Sequence, residues 1–293
     1  METIADKLFY CTVRIEAVKP EGISVGTGFH FISNTSSGSV CLIVTNKHVV
    51  ADAAEIKFLL HLASPEGRPA EKYGVTIIDP QARVFGHPNA AVDIAVIPIS
   101  DLVDQIFAQT GKHVFFRNFD ASTIPDAANI FALDSVEDVL FVGYPNGIWD
   151  SVNLLPVIRK GITATPVAID YNGEKKFLLD ASVFGGSSGS PVVLWSNGTY
   201  ALRNGDTVIG SRFFLLGVVA GVFYRTANYE IVEKALPTGK ADVAVGQEML
   251  DLGIAFRAET IQETIEDMFR KLGIDDPPSV VIEIEKNPIP EVT

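Results

Sequence analysis

The feature that most constrains the fold is a run rich in glycine and serine that leads directly into an apolar strand. Residues 184–193 read FGGSSGSPVV. Glycines adopt backbone angles that other residues resist and let the main chain approach a ligand closely. A serine in such a turn can present its hydroxyl beside main-chain N–H groups, which is the arrangement that stabilises an oxyanion. The run alone is equally consistent with a plain turn between two strands. Other parts of the sequence must therefore show whether it is a nucleophile turn or a plain loop.

Composition indicates a sizeable apolar core and a reducing environment. The chain has 293 residues, 47% of them hydrophobic, and a net charge of −13, which opposes nucleic-acid binding because that depends on clustered Lys and Arg. Its N-terminus lacks the basic start and apolar core of a secretory signal, and no apolar stretch reaches the roughly 18 residues of a membrane span. Cys11 and Cys41 lie in apolar runs and are expected to be buried thiols. We therefore expect a cytoplasmic protein with no nucleic-acid or membrane partner.

Short β-rich runs separated by polar turns fill most of the chain, a pattern typical of an all-β barrel or sandwich. The exceptions are a helix-like and then irregular stretch near the middle and the sequence ETIQETIEDMFRKL near the end. The latter predicts an amphipathic helix, with Thr260 as a possible cap and Gly273 as its end. We predict an N-terminal β-rich half, a connecting segment, a C-terminal β-rich half, a C-terminal helix and a tail, at residues 1–100, 101–137, 138–258, 259–273 and 274–293.

The order of the histidines narrows the choice of nucleophile. A serine nucleophile needs a base, usually histidine, and an acidic group that orients the base. All histidines precede the serine turn: His30, His48, His61, His87 and His113. This order excludes the α/β-hydrolase arrangement, although GGSSG matches that family's nucleophile elbow around Ser187. It also disfavours the subtilisin order, because an aspartate before His48 could only be Asp6, which leaves the order His, Asp, Ser.

Three local contexts single out individual residues. His48 ends a buried strand in TNKHVV, Asp93 precedes an apolar strand in AAVDIAVIPI, and Ser188 lies in GSSGSP. In type, order and spacing these resemble the Thr-Ala-Ala-His, Asp-Ile-Ala-Leu and Gly-Asp-Ser-Gly-Gly-Pro motifs of the trypsin-like serine peptidases. The resemblance covers nearly the whole chain. Residues 143–162 look like the bacterial intracellular and DegP-like members, and LGVVAGVF at residues 216–223 looks like the strand that borders the substrate.

This resemblance implies an all-β fold of two six-stranded antiparallel β-barrels, with the active site in the cleft between them, followed by a C-terminal α-helix. It implies a serine endopeptidase in which Ser188 attacks the scissile carbonyl, His48 takes its proton and Asp93 orients His48. The N–H groups of Gly186 and Ser188 would form the oxyanion hole. His30 is given no role, and surface or loop positions are expected for the remaining histidines, His61, His87 and His113.

The resemblance also implies a specificity pocket. Ser182 falls at the pocket floor, which therefore lacks the aspartate that attracts Arg or Lys side chains. The pocket wall would be formed by Ala220, Gly221 and Val222, and the valine would make the pocket shallow. We predict cleavage of a protein or peptide substrate after small or medium apolar residues, with the substrate pairing along the bordering strand.

Ser187 departs from the family pattern. In secreted, zymogen-activated members this position is an aspartate that pairs with a new N-terminal amine after propeptide cleavage. Without a carboxylate here, the turn should be preformed, or be ordered by substrate or a partner. Two alternatives stay open: a catalytically idle relative that only binds peptides, and a peptidase gated by an activating protein in a bacterial, defence-like system.

No sequence motif predicts a cofactor or a metal site. The chain lacks a Walker-type loop, a Rossmann fingerprint, an HExxH motif and a Cys/His cluster at zinc spacing. The hypothesised chemistry therefore depends on the side chains and main chain alone.

Overall fold

Two β-sheets, one from each half of the chain, form the body of the molecule, which confirms the all-β class. The computed structural model describes residues 3–36, 38–229 and 244–274. Its strands are β1 (Thr12–Lys19), β2 (Gly22–Thr35), β3 (Gly38–Thr45), β4 (Glu55–Ala63), β5 (Pro69–Ile78), β6 (Phe85–Gly86), β7 (Ala95–Pro98), β8 (Val114–Phe115), β9 (Phe119–Asp120), β10 (Asp138–Gly143), β11 (Val157–Thr163), β12 (Lys176–Asp180), β13 (Pro191–Ala201), β14 (Thr207–Tyr229) and β15 (Ala244–Arg257). Its α-helices are α1 (Ile4–Leu8), α2 (Lys47–Val50), α3 (Ser100–Thr110), α4 (Ala127–Ala132) and α5 (Glu259–Leu272).

The first sheet runs in the order β5-β4-β1-β2-β3-β7-β6, with β8 added to β4 and β9 added to β2. This sheet has nine strands where six were expected, because three two-residue strands, β6, β8 and β9, are added to six longer ones. The pairing of β2 with β9 is parallel, whereas the other pairings in this sheet are antiparallel. Two-residue strands are too short to show an alternating pattern, which is why the sequence does not reveal them.

The second sheet closes into a six-stranded antiparallel barrel in the order β10-β11-β12-β15-β14-β13. Its interior is filled by alternate residues of these strands, among them Phe141, Phe177, Leu179, Leu194 and Leu216, all buried. Burying a side chain of this size contributes about 1.5–3 kcal/mol. The barrel therefore has an apolar core of its own.

A third apolar core joins the two sheets, and α5 packs into it. Ile261, Ile265, Met268 and Phe269 of this helix are buried with side chains from both halves. The predicted amphipathic helix is confirmed, and it ends at Gly273, whose φ is +66°. The predicted cap is wrong: the N-cap is Ala258, and the Thr260 hydroxyl donates to the Arg257 carbonyl oxygen at 2.6 Å. Apolar packing across both sheets, and not a side-chain cap, stabilises the start of this helix.

Other expectations concern single features of the chain. Both cysteines are free, with Cys11 buried and Cys41 half-buried, as expected. No helix within the described ranges is long and apolar enough to cross a membrane. Apart from Ile274, the predicted tail at residues 274–293 lies outside the described residues.

Candidate active site

His48 lies in the short helix α2, which closely follows strand β3 in the sequence. Val49 and Val50 beside it are buried, so the helix sits on the sheet with its histidine turned outward. The helix packs closely against β2, because a Cβ added to Gly26 on that strand would lie only 2.5 Å from Val49 Cγ1. The His48 side chain is 50% exposed. The residue is thus anchored through its neighbours while its ring remains accessible.

Asp93 holds both the ring and the main chain of His48. Its Oδ2 lies 2.5 Å from His48 Nδ1, and its Oδ1 accepts from the His48 main-chain N–H at 3.1 Å. The Asp93 carbonyl accepts from Asn46 Nδ2 at 2.6 Å, so the acid is itself held from the start of α2. A carboxylate at Nδ1 places the ring proton on that nitrogen and leaves Nε2 as an acceptor.

Ser188 lies in the turn 184–190. Hydrogen bonds to main-chain carbonyl oxygens or N–H groups hold each peptide unit of this turn. The Gly185 carbonyl accepts from Asn146 N at 2.5 Å, and the Ser187 carbonyl accepts from Ser190 N at 3.0 Å. The Ser188 carbonyl accepts from Thr27 N at 2.8 Å. The turn 184–190 is therefore tied both to itself and to β2 of the first sheet.

These carbonyl bonds fix the direction of two N–H groups. In a trans peptide the C=O and the following N–H point in opposite directions, and no peptide bond of the described residues is cis. The Gly186 N–H therefore points away from Asn146, and the Ser188 N–H points away from Ser190. Neither N–H has an acceptor among the described residues. The turn thus presents two oriented, unpaired donors beside the Ser188 side chain.

Two glycines permit this conformation. Gly186 and Gly189 have φ values of +84° and +88°, which side chains rarely adopt. A Cβ on Gly189 would lie 1.9 Å from the Thr27 carbonyl oxygen, and one on Gly186 would lie 2.4 Å from the Tyr144 carbonyl oxygen. Any larger residue at either position would displace main chain.

Thr27 connects the turn to both sheets. It is fully buried, its hydroxyl donates to the Gly186 carbonyl at 2.8 Å, and the same hydroxyl accepts from Tyr144 N at 3.2 Å. Its own carbonyl accepts from the Thr45 hydroxyl at 2.7 Å. Since Thr45 is three residues before His48, the main chains that carry the histidine and the serine are linked through two buried hydroxyls, those of Thr27 and Thr45.

Ser187 and Ser188 differ in their surroundings. Ser187 is 1% exposed, and its Oγ has no hydrogen-bond partner within the described part of the chain. Ser188 is half-buried. The described side chains form no hydrogen bond between Ser188 Oγ and His48 Nε2, a contact that often tightens only when substrate binds. The turn is ordered although position 187 carries no charge.

The residues predicted for the specificity pocket lie on both sides of the turn. Ser182 precedes it, and Ala220, Gly221 and Val222 lie on β14; all four are half-buried. The pairing of β14 with β13 ends at Val218, whereas its pairing with β15 continues beyond that residue. Val219 is hydrogen-bonded to the turn, since its carbonyl accepts from Gly189 N at 2.8 Å and its N–H donates to the Ser190 carbonyl at 2.9 Å. Over residues 220–223, that edge of β14 has no strand partner among the residues described.

Sequence reasoning missed the residues that support this site. His87 was expected at a surface or loop position; it lies in the loop between β6 and β7, but its side chain is buried. Its Nε2 lies 2.9 Å from Glu263 of α5, and its Nδ1 accepts from Asn89 N at 3.0 Å. This bridge fixes the loop that leads to Asp93. Thr27, Tyr144 and Asn46 were also overlooked, because their contacts are with residues remote in sequence. The only available signal was the position of Asn46 two residues before His48.

No metal site accompanies these residues. The described residues contain no group of three or more His, Cys, Asp or Glu side chains that could hold a metal ion. The chemistry available is that of an oriented imidazole, a serine hydroxyl and two main-chain N–H donors.

A family model described as a trypsin-like peptidase domain matches residues 26–200. No curated protein is significantly similar to the chain in sequence. Among solved structures, the chain is similar to a serine endoprotease from Yersinia pestis, with 18% identity, a TM-score of 0.47, and coverage of 92% of this chain and 68% of the other.

Two further solved structures show a similar level of likeness. An M. tuberculosis protease in its active form has 17% identity and a TM-score of 0.43, over 94% of this chain and 85% of the other. An inactivated protease paralogue from the scabies mite has 15% identity and a TM-score of 0.46, over 92% of this chain and 98% of the other.

Proposed function

Because the chain belongs to the trypsin-like peptidase family, we propose that it is a serine endopeptidase in which Ser188 is the nucleophile, His48 the general base and Asp93 the group that orients the base. The observation that carries this proposal is the turn 184–190. The Gly185 and Ser187 carbonyl oxygens accept hydrogen bonds from Asn146 N and Ser190 N. The N–H groups of Gly186 and Ser188 therefore point the other way, and they have no acceptor among the described residues. A plain connecting turn has no need of that arrangement.

The first chemical step is attack of Ser188 Oγ on the scissile carbonyl carbon. The hydroxyl proton passes to His48 Nε2 as the C–O bond forms, and the carbonyl π electrons move to the oxygen. Asp93 keeps the Nδ1 proton in place and stabilises the imidazolium. His48 then returns the proton to the leaving amine as the C–N bond breaks, and water hydrolyses the acyl-enzyme by the same route in reverse.

The N–H groups of Gly186 and Ser188 stabilise the oxyanion. Donors aimed at a developing charge accelerate acyl transfer because they need no reorganisation during the reaction, and loss of one such donor costs roughly 10²–10³-fold in rate. In this protein the donors are main-chain groups, and their direction is set by the Gly185 and Ser187 carbonyls. We infer that the oxyanion hole is preformed without an activation aspartate.

An extended peptide would bind along the edge of β14 at residues 220–223, next to the point where Val219 is hydrogen-bonded to the turn. Strand addition at a sheet edge supplies main-chain hydrogen bonds, while adjacent pockets select alternate side chains. The residue before the scissile bond would face Ser182, Ala220, Gly221 and Val222, which carry no charge. Small or medium apolar residues suit that surface, whereas Arg or Lys would be left without a counter-ion.

The test is digestion of a peptide library, with new chain ends identified by mass spectrometry. The wild type should cut after small or medium apolar residues, and Ser188→Ala should lose activity by about 10⁶-fold, the scale seen when a serine nucleophile is removed. Ser187→Ala is the matched control, because the Ser187 hydroxyl makes no hydrogen bond to any of the residues that the structure describes. Cleavage lost in Ser187→Ala and kept in Ser188→Ala would overturn the assignment.

The same digest separates the alternative functions. A folded wild type that produces no new chain ends, with or without a second protein, supports a catalytically idle relative. Cleavage that appears only after a second protein is added supports gating by a partner. Preference for Arg or Lys before the scissile bond would refute the proposed pocket.

A further inference from the structure

The segment between β10 and β11, residues 145–156, links the candidate active site to a distant face of the first sheet; it is called the docking segment below. Its start belongs to the site, because the Asn146 N–H donates to the Gly185 carbonyl at 2.5 Å and so sets the direction of the Gly186 N–H. The rest of the segment lies against strands β1, β4 and β5. The position of one oxyanion donor is therefore connected to contacts made on the first sheet.

The docking segment has two anchors on that sheet. The Trp149 ring lies under the Arg14 guanidinium of β1, 5.5 Å from the ring centroid. Leu154 is 5% exposed, and its main chain forms a hydrogen bond with the His61 ring of β4. A stacked cation and a buried aliphatic side chain both favour the docked position of the segment.

A cavity of about 300 Å³ lies between the docking segment and the sheet. Tyr144, Trp149 and Leu154 line one side of it, and residues of β1, β4 and β5 line the other. Protein interiors are usually close-packed, so that many contacts share the work of holding a segment. Because the cavity takes the place of such contacts here, the docking segment depends more strongly on Trp149 and Leu154.

Leu154 has a main-chain conformation that leucine rarely adopts. Its φ is +53°, in the left-handed region, where Cβ lies close to the following carbonyl oxygen. Such a conformation persists only where surrounding contacts hold it. Asp150 provides some of these contacts: its main chain exchanges hydrogen bonds with Leu155 at 3.0 and 3.1 Å, and its Oδ1 accepts from Asn153 N at 2.9 Å. The segment is thus ordered internally, so a shift at an anchor would also move Asn146.

The start of the docking segment packs closely on the turn. Asn146 and Gly147 have φ values of +50° and +70°, and Gly147 N donates back to the Tyr144 carbonyl at 3.0 Å. A Cβ on Gly186 would lie 2.4 Å from that same carbonyl oxygen. The rings of Tyr144 and Trp149 meet edge to face at 6.0 Å. The anchor Trp149 therefore contacts the residue whose main chain borders the turn.

We propose that Trp149 and Leu154 are positioning residues, which hold the oxyanion hole in place by docking this segment on the first sheet. Loss of either anchor would let the segment move and would weaken its hydrogen bond to the Gly185 carbonyl. The Gly186 N–H would then lose its fixed direction, although both anchors lie outside the turn. The consequence for catalysis rests on the proposed peptidase function, whereas the effect on the turn does not.

Amide hydrogen exchange reports on the turn without any need for catalysis. The N–H groups of Ser187, Gly189 and Ser190 donate to carbonyl oxygens, so their exchange measures opening of the turn. The measurement uses a Ser188→Ala background, which prevents self-cleavage. Peptides that cover β12 provide the internal reference for global unfolding.

Loss of either anchor should speed exchange at the turn. Trp149→Ala removes the ring beneath Arg14, and Leu154→Gly removes a buried side chain at a φ that glycine adopts without strain. Each should speed exchange in peptides covering residues 184–190 several-fold and leave β12 unchanged. Unchanged exchange at the turn in both variants would overturn the proposal. Equal acceleration in β12 would show a general loss of stability and would overturn the positioning role.

Each variant has a matched control. Phe131→Ala removes a ring that is 71% exposed and lies under the Arg203 guanidinium at 5.6 Å. Asn172→Gly places a glycine at a φ of +54° at an exposed position between β11 and β12. Both should leave exchange at the turn unchanged. Trp149→Phe, which keeps an aromatic face for Arg14, should restore most of the protection lost in Trp149→Ala.

Peptide cleavage tests the consequence for catalysis in the active protein. Because an oxyanion hole acts mainly in the transition state, Trp149→Ala should lower kcat at least about tenfold and leave KM within about threefold of wild type. Trp149→Phe should recover most of kcat, and Phe131→Ala should match wild type. Faster exchange at the turn without a fall in kcat would show that docking does not position the oxyanion hole. A wild type that cleaves nothing would contradict the peptidase function, and the exchange results would still decide whether the anchors hold the turn.

Discussion

His48 and Asp93 are held in the first sheet by side-chain hydrogen bonds, whereas the turn of Ser188 is held through its own main chain. The carboxylate of Asp93 contacts the His48 ring at 2.5 Å, so the identity of each side chain decides the geometry. In the turn, main-chain carbonyls and N–H groups make the contacts, so side chains matter little except where a glycine is needed. The first region should be sensitive to loss of a functional group, and the second to added bulk.

The largest effect is expected from bulk in the second region, at Gly189. Alanine there would place Cβ 1.9 Å from the Thr27 carbonyl at a φ of +88°. We expect a loss of at least about 3 kcal/mol in the free energy of unfolding, measured by urea denaturation, and loss of peptide cleavage. Gly210→Ala, with its nearest neighbour 4.0 Å away, is the control and should be nearly neutral. Wild-type stability in Gly189→Ala would show that the turn is less constrained than its contacts imply.

In the first region, the test removes the carboxylate of Asp93 without changing the size of the side chain. Asp93→Asn keeps the shape of the side chain but favours the wrong tautomer of His48, so kcat/KM should fall by about 10⁴-fold at neutral pH. Asp138→Asn breaks an exposed ion pair with Lys160 and should change neither activity nor stability appreciably. A loss below tenfold in Asp93→Asn would mean that another group orients the imidazole.

Thr27 bonds to the turn through its side chain and to the His48 region through its main chain. Its substitution should therefore have an intermediate effect. Thr27→Val preserves shape but leaves the Gly186 carbonyl and Tyr144 N unpaired, so we expect a loss of about 1–3 kcal/mol in stability. Because the Gly186 N–H belongs to the proposed oxyanion hole, kcat should fall about ten- to hundred-fold.

Thr165→Val controls for stability alone. It removes a comparable hydroxyl acceptor, for Leu178 N at 2.9 Å, in a part of the barrel away from the turn. Its kcat should be unchanged. If both variants reduced kcat equally, Thr27 would be merely structural.

The smallest effect is expected from removing the contact between Glu263 of α5 and His87, in the loop that leads to Asp93. Burial alone raises the pKa of Glu263, but hydrogen bonds from Lys175 and His87 outweigh it and hold the pKa below its usual value. A depressed carboxyl pKa stabilises the fold above the unfolded pKa, and that contribution is lost as pH falls below about 4. Glu263→Gln should therefore cost about 1 kcal/mol at pH 7, with the difference from wild type vanishing in acid. Urea midpoints at both pH values measure this, and a difference that grows in acid would contradict it.

The two regions also differ in how far sequence predicts them. Through their resemblance to the motifs of a known peptidase family, TNKHVV, AAVDIAVIPI and GSSGSP predicted that His48 would contact Asp93 and that Ser188 would lie in a glycine-rich turn. The second barrel was also implied by that resemblance, whereas α5 was predicted from the spacing of its apolar residues alone. The Thr27, Tyr144 and His87 contacts could not be predicted, since each depends on which strand or helix packs beside it.

The central claim is that the isolated protein has a preformed oxyanion hole beside a reactive Ser188. Its most direct test is reaction of the purified protein, with no partner added, with a fluorophosphonate, followed by mass spectrometry to locate the modified residue. The account predicts one modification at Ser188, abolished in Ser188→Ala and kept in Ser187→Ala. No modification of the well-folded wild type, or modification at Ser187, would contradict it.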